Sequence, residues 1–187
     1  MAMPVPDGLL TLEDWEALPE DNSAHIELQW GKLVMSPKPT ESHQDAVGEL
    51  YLQIRKQLPP AYKVLFDFEV VVRAEAPAIV RAPDLVIIHR GRGRTRVPAR
   101  DVIVAVEIIS PGSRNVDTHL KAFEYAEAGI PWYWLIDLDP PAPTITVFGL
   151  GASDDGYRES QTATGELVVT HPFPLRVDIE ALVAPRS

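Results

Sequence analysis

DVIVAVEIIS, residues 101–110, is the stretch on which the fold turns. It is apolar at odd and even positions alike, as expected of a central strand covered on both faces. One residue interrupts it. Glu107 starts among apolar neighbours, and an ionised carboxylate there needs a cation, a partner charge or a proton. A salt bridge to an arginine, or a strand end that reaches solvent, would also satisfy it.

Just upstream, DLVIIH (84–89) is a second short apolar run, opened by Asp84 directly after Pro83. Alone, Asp84 reads as a strand-entry or turn aspartate. Carboxylates on adjacent strands can also converge on one divalent cation, because hard ions prefer oxygen ligands. Downstream, PGSRN leads into a helix from Val116 to Ala128, closed by Gly129 and Pro131. WYWLID (132–137) and TITVFGL (144–150) read as two more strands, with Trp132, Tyr133 and Trp134 as core rather than a stacking surface.

Towards the N-terminus, Thr11 suits the cap of a short helix through Leu18. HIELQWG and KLVMSP form strands joined at Gly31-Lys32. Val47, Leu50, Tyr51, Ile54 and Leu58 mark a helix from Glu41 to Leu58, which Pro59-Pro60 ends. YKVLFDFEVVVR (62–73) is β-branched and aromatic and reads as one strand. Beyond Gly149 the alternation is weak, and a short helix near 178–182 closes the chain. The expectation is one α/β (α+β) domain over 1–187, with a central mixed β-sheet flanked by helices.

The chain has no cysteine, so disulfides and thiolate metal sites are excluded. No apolar run approaches the roughly 20 residues that cross a bilayer, and the start lacks the blocks of a signal peptide. The expected location is cytoplasmic. A net charge of −10 opposes unselective binding to nucleic acid. HRGRGRTRVPAR (89–100) is a local exception: Arg90, Arg92, Arg94 and Arg96 could meet a phosphate backbone, or simply form a solvated loop. No P-loop, zinc cluster or G-x-S-x-G elbow is present, which excludes nucleotide-driven motors and serine hydrolases.

Pro83-Asp84 on one strand and Glu107-Ile108-Ile109 on the next resemble the core of the PD-(D/E)XK nuclease superfamily. More closely, the chain is similar to the Uma-type restriction endonuclease family. The matching stretches are IELQWGKLVMSPKPTESHQ, APDLVIIH, VEIISPGSRNVDTHLKAFEYAEAGIPWYWLID and TITVF, spanning about 24–148. The resemblance implies a restriction-endonuclease-like fold and metal-dependent hydrolysis of phosphodiesters, with DNA as the expected substrate. Mg2+ or Mn2+ would be held by Asp84, Glu107 and the backbone carbonyl of Ile108, with Glu27 completing the site. Glu27 also suits the exposed face of a hairpin.

The superfamily's usual lysine, two residues after the glutamate, is Ile109 here. Lys121 on the following helix matches the family's lysine and would supply that charge; Asp117 and Lys121 also suit a surface i,i+4 pair. Asp117 and Tyr125 share a helical face with Lys121 and would orient it. His43 and Gln44 match the family pattern as substrate contacts, or serve the helix start. Two rival classes stand beside the nuclease. The lost lysine favours a non-catalytic nuclease-fold module binding nucleic acid or a protein, and the apolar strands at 132–148 would suit the edge of a homodimer.

Overall fold

Residues 8–19, 25–36, 38–91, 93–110, 114–139, 141–152 and 155–184 are described by the computed structural model of the chain. The elements are α1 (Leu12–Ala17), β1 (His25–Gln29), β2 (Lys32–Ser36), α2 (Glu41–Gln57), β3 (Tyr62–Phe66), β4 (Glu69–Arg73), β5 (Ile79–Arg81), β6 (Leu85–His89), β7 (Arg96–Pro98) and β8 (Val102–Ile108). A π-helical turn (Val116–Lys121) then runs into α3 (Ala122–Glu127), followed by β9 (Trp132–Asp137), β10 (Thr144–Leu150), β11 (Tyr157–Ala163), β12 (Glu166–Val169) and β13 (Leu175–Asp178). The architecture is α+β.

The central sheet has six strands in the order β11-β10-β9-β8-β6-β3. It is mixed, because β8 and β9 run parallel while its other pairs are antiparallel. Its middle strand β8 has apolar side chains on both faces for a visible reason. Val104, Val106 and Ile108 pack with Leu50 and Ile54 of α2. On the other face Ala105 packs with Tyr125 of α3 and with Val70 and Val97 of a second sheet. That second sheet has the order β2-β1-β5-β4-β7.

Helix α2 starts where Thr40 accepts a hydrogen bond from the His43 N–H, and it buries Ala46, Leu50 and Ile54 at four-residue spacing. Helix α1 carries the expected Thr11 cap, in a capping box with Asp14.

Several expectations are corrected. The stretch 62–73 is two strands in different sheets, broken at Asp67, which adopts φ 42°. Trp30 and Gly31, at φ 50° and 75°, make the tight turn of the first hairpin, one residue earlier than Gly31-Lys32. The helix over 116–128 begins as a π-turn. The weakly alternating tail is integral: β11 extends the central sheet, and the β12–β13 hairpin lies on α2. Gln53 and Gln57 bond the backbone of Asp178 and Arg176, and Leu167, Val177 and Ile179 join the α2 core. Strands 132–148 are interior, flanked by β8 and β11, so they offer no free edge to a second copy. No helix among the described residues is long and apolar enough to cross a membrane.

Candidate active site

Strands β6 and β8 are antiparallel neighbours with Leu85 opposite Val106. Asp84, immediately before β6, therefore lies beside the end of β8 that carries Glu107 and Ile108. Its Oδ2 accepts a hydrogen bond of 2.7 Å from the Ile108 N–H. His43 reaches the same point from the first turn of α2, with Nε2 3.3 Å from Asp84 Oδ2 and 3.3 Å from the Ile108 carbonyl oxygen. Burial alone would lower the His43 pKa, but Asp84 and the carbonyl outweigh it and raise it.

Glu107 is buried, and its Oε1 accepts from Lys121 Nζ at 3.0 Å and from the Tyr125 hydroxyl at 2.7 Å. Burial pushes its carboxyl up to about 8; Lys121 pulls it down, and Asp84, Asp117 and Glu27 push it up again. Burial would likewise strip the proton from Lys121, yet the surrounding carboxylates hold its pKa above the ordinary value. Its Nζ is also 3.4 Å from Asp117 Oδ1 and 3.5 Å from Glu27 Oε1. The π-turn and α3 together bury Asp117, Lys121, Glu124 and Tyr125 along one side, which fits the frequent occurrence of π-turns at functional sites. Asp117 and Lys121 are thus a buried pair, not a surface one. Ile109 packs against the core on the α3 side, and the ammonium group reaches Glu107 from the helix instead.

Glu27 is only 4% exposed, which overturns its reading as a solvent-facing hairpin residue. Oε2 accepts from Arg81 at 2.9 Å and Oε1 from the Ala82 N–H at 3.0 Å. Burial raises its pKa, but His25, Lys121 and Arg81 outweigh that and hold it well below the usual carboxylate range. Arg81 in turn forks onto Glu124 through Nε and Nη2, at 2.8 and 3.0 Å. Sequence reasoning missed both. Arg81 carries the signal that betrayed Glu107, a charge inside an apolar run (AIVRAP); Glu124, in KAFEYAE, looks like any helix-surface glutamate.

The other expected contacts do not gather here. Gln44 bonds the Pro39 carbonyl on the exposed side of the helix start. Arg90 lies at the opposite end of β6, about 20 Å along the strand, and donates to the carbonyls of Pro60 and Tyr62. Arg94 pairs with Asp101, and Arg96 with Glu16 and Glu69. Arg92 falls outside the described residues.

No group of three His, Cys, Asp or Glu side chains among the described residues is arranged to hold a metal ion. The reason is local: Glu27 and Glu107 are turned onto Arg81, Lys121 and Tyr125. The donor chemistry nevertheless fits a hard cation. Asp84 Oδ2 and the Ile108 carbonyl face one common point at His43 Nε2, and Asp84 is 24% exposed, so that point opens to solvent. The carboxyl groups of Asp84, Glu107, Asp117, Glu27 and Glu124 share this cluster with Lys121, Arg81, His25 and His43.

No curated protein matches the chain. Among solved structures it resembles one described as a "putative nuclease belonging to DUF820" from Anabaena variabilis ATCC 29413, with a TM-score of 0.68 and 20% identity, covering 93% of this chain and 97% of that one. At that identity the likeness speaks for the fold. The family Uma2, described as "Putative restriction endonuclease", matches residues 12–182. That span takes in both sheets, the Asp84–Glu107 end of the site and the C-terminal hairpin, and the chain belongs to this family.

Proposed function

We propose that the protein is a divalent-metal-dependent nuclease that hydrolyses phosphodiester bonds in DNA. The observation that carries this reading is the Lys121 ammonium group 3.0 Å from Glu107. It puts a cation beside the strand carboxylate although position 109 is aliphatic. Asp84, Glu107 and the Ile108 carbonyl would hold Mg2+ or Mn2+. When bound, such an ion supplies a Lewis acid for the phosphoryl group and a source of hydroxide near neutral pH.

The protein's own groups do the rest. Tyr125 and Lys121 orient the Glu107 carboxylate, and Arg81 with Glu124 orients Glu27, so loading would turn these carboxylates from their present partners toward Asp84. Lys121 offsets negative charge gathering at the site. His43, beside Asp84, would donate to a phosphate oxygen. Incubation of supercoiled plasmid with Mn2+ tests the reading. Wild-type protein should nick it, and Glu107→Ala should reduce nicking by at least about 100-fold. A silent wild type, or an equally active Glu107→Ala, overturns the proposal.

A second reading has one observation in its favour. Lys121 is committed to three carboxylates, as a non-catalytic nuclease-fold module would allow. Such a module would bind nucleic acid or a protein without any need for Mn2+.

A further inference from the structure

At the edge strand of the central sheet the Phe66 ring is 46% exposed and stacks on Tyr51 of α2, with centroids 4.1 Å apart and planes 28° from parallel. A lone exposed aromatic is ordinary. This one is stacked, and a cation completes it. The Arg55 guanidinium lies 5.7 Å from the Tyr51 ring centroid and donates to its hydroxyl at 3.3 Å. Arg55 makes no ion pair with a described carboxylate. Asp67, the residue after Phe66, is paired with His25 at 3.1 Å.

The position matters as much as the chemistry. Phe66 is opposite Leu85, the residue after Asp84, and the next N–H along, that of Asp67, donates to the Asp84 carbonyl. The backbone that carries Phe66 is therefore about one strand spacing from that of Asp84. On α2, His43, Val47, Tyr51 and Arg55 recur every four residues and form one ridge. Along that ridge Tyr51 is about 12 Å from His43, a few nucleotide steps of a stacked strand.

We infer that Tyr51 and Phe66 form a stacking site for an unpaired base of a DNA strand whose phosphodiester lies at Asp84. The inference rests on the nuclease reading and narrows its substrate to single-stranded or locally opened DNA. A base in a duplex keeps its faces covered by its neighbours, whereas an unpaired base offers a free face to an aromatic ring. The net charge of −10 points the same way. A chain this acidic gains little from phosphate neutralisation, and ring stacking supplies affinity that overall charge does not cancel.

The test is fluorescence anisotropy with a labelled oligothymidylate and with a hairpin duplex, in Ca2+ to suppress turnover. Wild-type protein should prefer the single strand. Phe66→Ala should weaken that binding by roughly 5- to 100-fold and leave duplex binding unchanged, and Phe66→Trp should restore it. Sedimentation of the same variants reads self-association. Duplex preference, single-strand binding unaltered by Phe66→Ala, or a dimer that Phe66→Ala dissociates would each overturn the inference. Because the readout is binding, a failed plasmid assay would sink the nuclease reading without deciding this one, and the reverse also holds.

Discussion

Glu107 sits in an unusual balance, since its nearest positive charge is shared with two other acids. The folded protein keeps the Glu107 proton up to about pH 8, whereas the unfolded chain releases it near 4.5. Between those values the native state binds more protons, so metal-free stability falls as pH rises. In EDTA the melting temperature should drop across that window, and Glu107→Gln should flatten the drop. Lys121→Met removes the counter-charge of buried Asp117 and Glu27 and a hydrogen bond to Glu107, and should cost about 3–5 kcal/mol in urea unfolding without metal, part of it recovered by Mn2+. A fully stable Lys121→Met would mean that the ammonium group is not needed there. At this scale much was legible. Asp84, Glu107 and Lys121 stand out as charges that an apolar strand or a family pattern singles out. The partners of Arg94 and Arg96 were not legible, because Asp101, Glu16 and Glu69 reach them through the fold and local charge density says nothing about them.

The elements carry the site by bringing its halves from different sheets. β1 supplies Glu27, β5 supplies Arg81, and the π-turn with α3 supplies Lys121 and Glu124. Arg81→Met should therefore cost about 3–5 kcal/mol by urea unfolding. Arg81→Lys should not restore the loss, because a single ammonium group cannot fork onto Glu124 and also reach Glu27. Equal stability of Arg81→Lys and wild type would contradict that geometry. The first hairpin depends on Gly31, where an added Cβ would fall 2.8 Å from Leu9 Cβ and where φ is positive. Gly31→Ala should lower stability by more than about 1 kcal/mol, read as a lower melting temperature. Long periodic elements such as α2, β8 and β9 were readable from their patterns. β5 and β7, at three residues each, are too short to show a period. The break at Asp67 left no glycine or proline to announce it, since aspartate is among the residues that tolerate a positive φ.

For the whole molecule, the two sheets meet in one core cluster, where Val70 and Val97 pack with Ala105 and Tyr125, and the candidate site lies beside that junction, which is why mutations in either sheet should be felt there. The C-terminal tail looked peripheral because its alternation is weak, yet it completes the α2 core through Leu167, Val177 and Ile179. Its contribution comes from contacts distant in sequence, which a local pattern cannot display. With an acidic surface and a stacking site, single-strand affinity should fall only shallowly as salt rises; a steep slope would point to a phosphate-tracking groove. The most direct test of the account is a calorimetric Mn2+ titration of the wild type, Asp84→Asn and Glu107→Gln. Saturable binding by the wild type and its loss in both variants is the expected result. A wild type that takes up no Mn2+, or variants that bind it equally well, would contradict it.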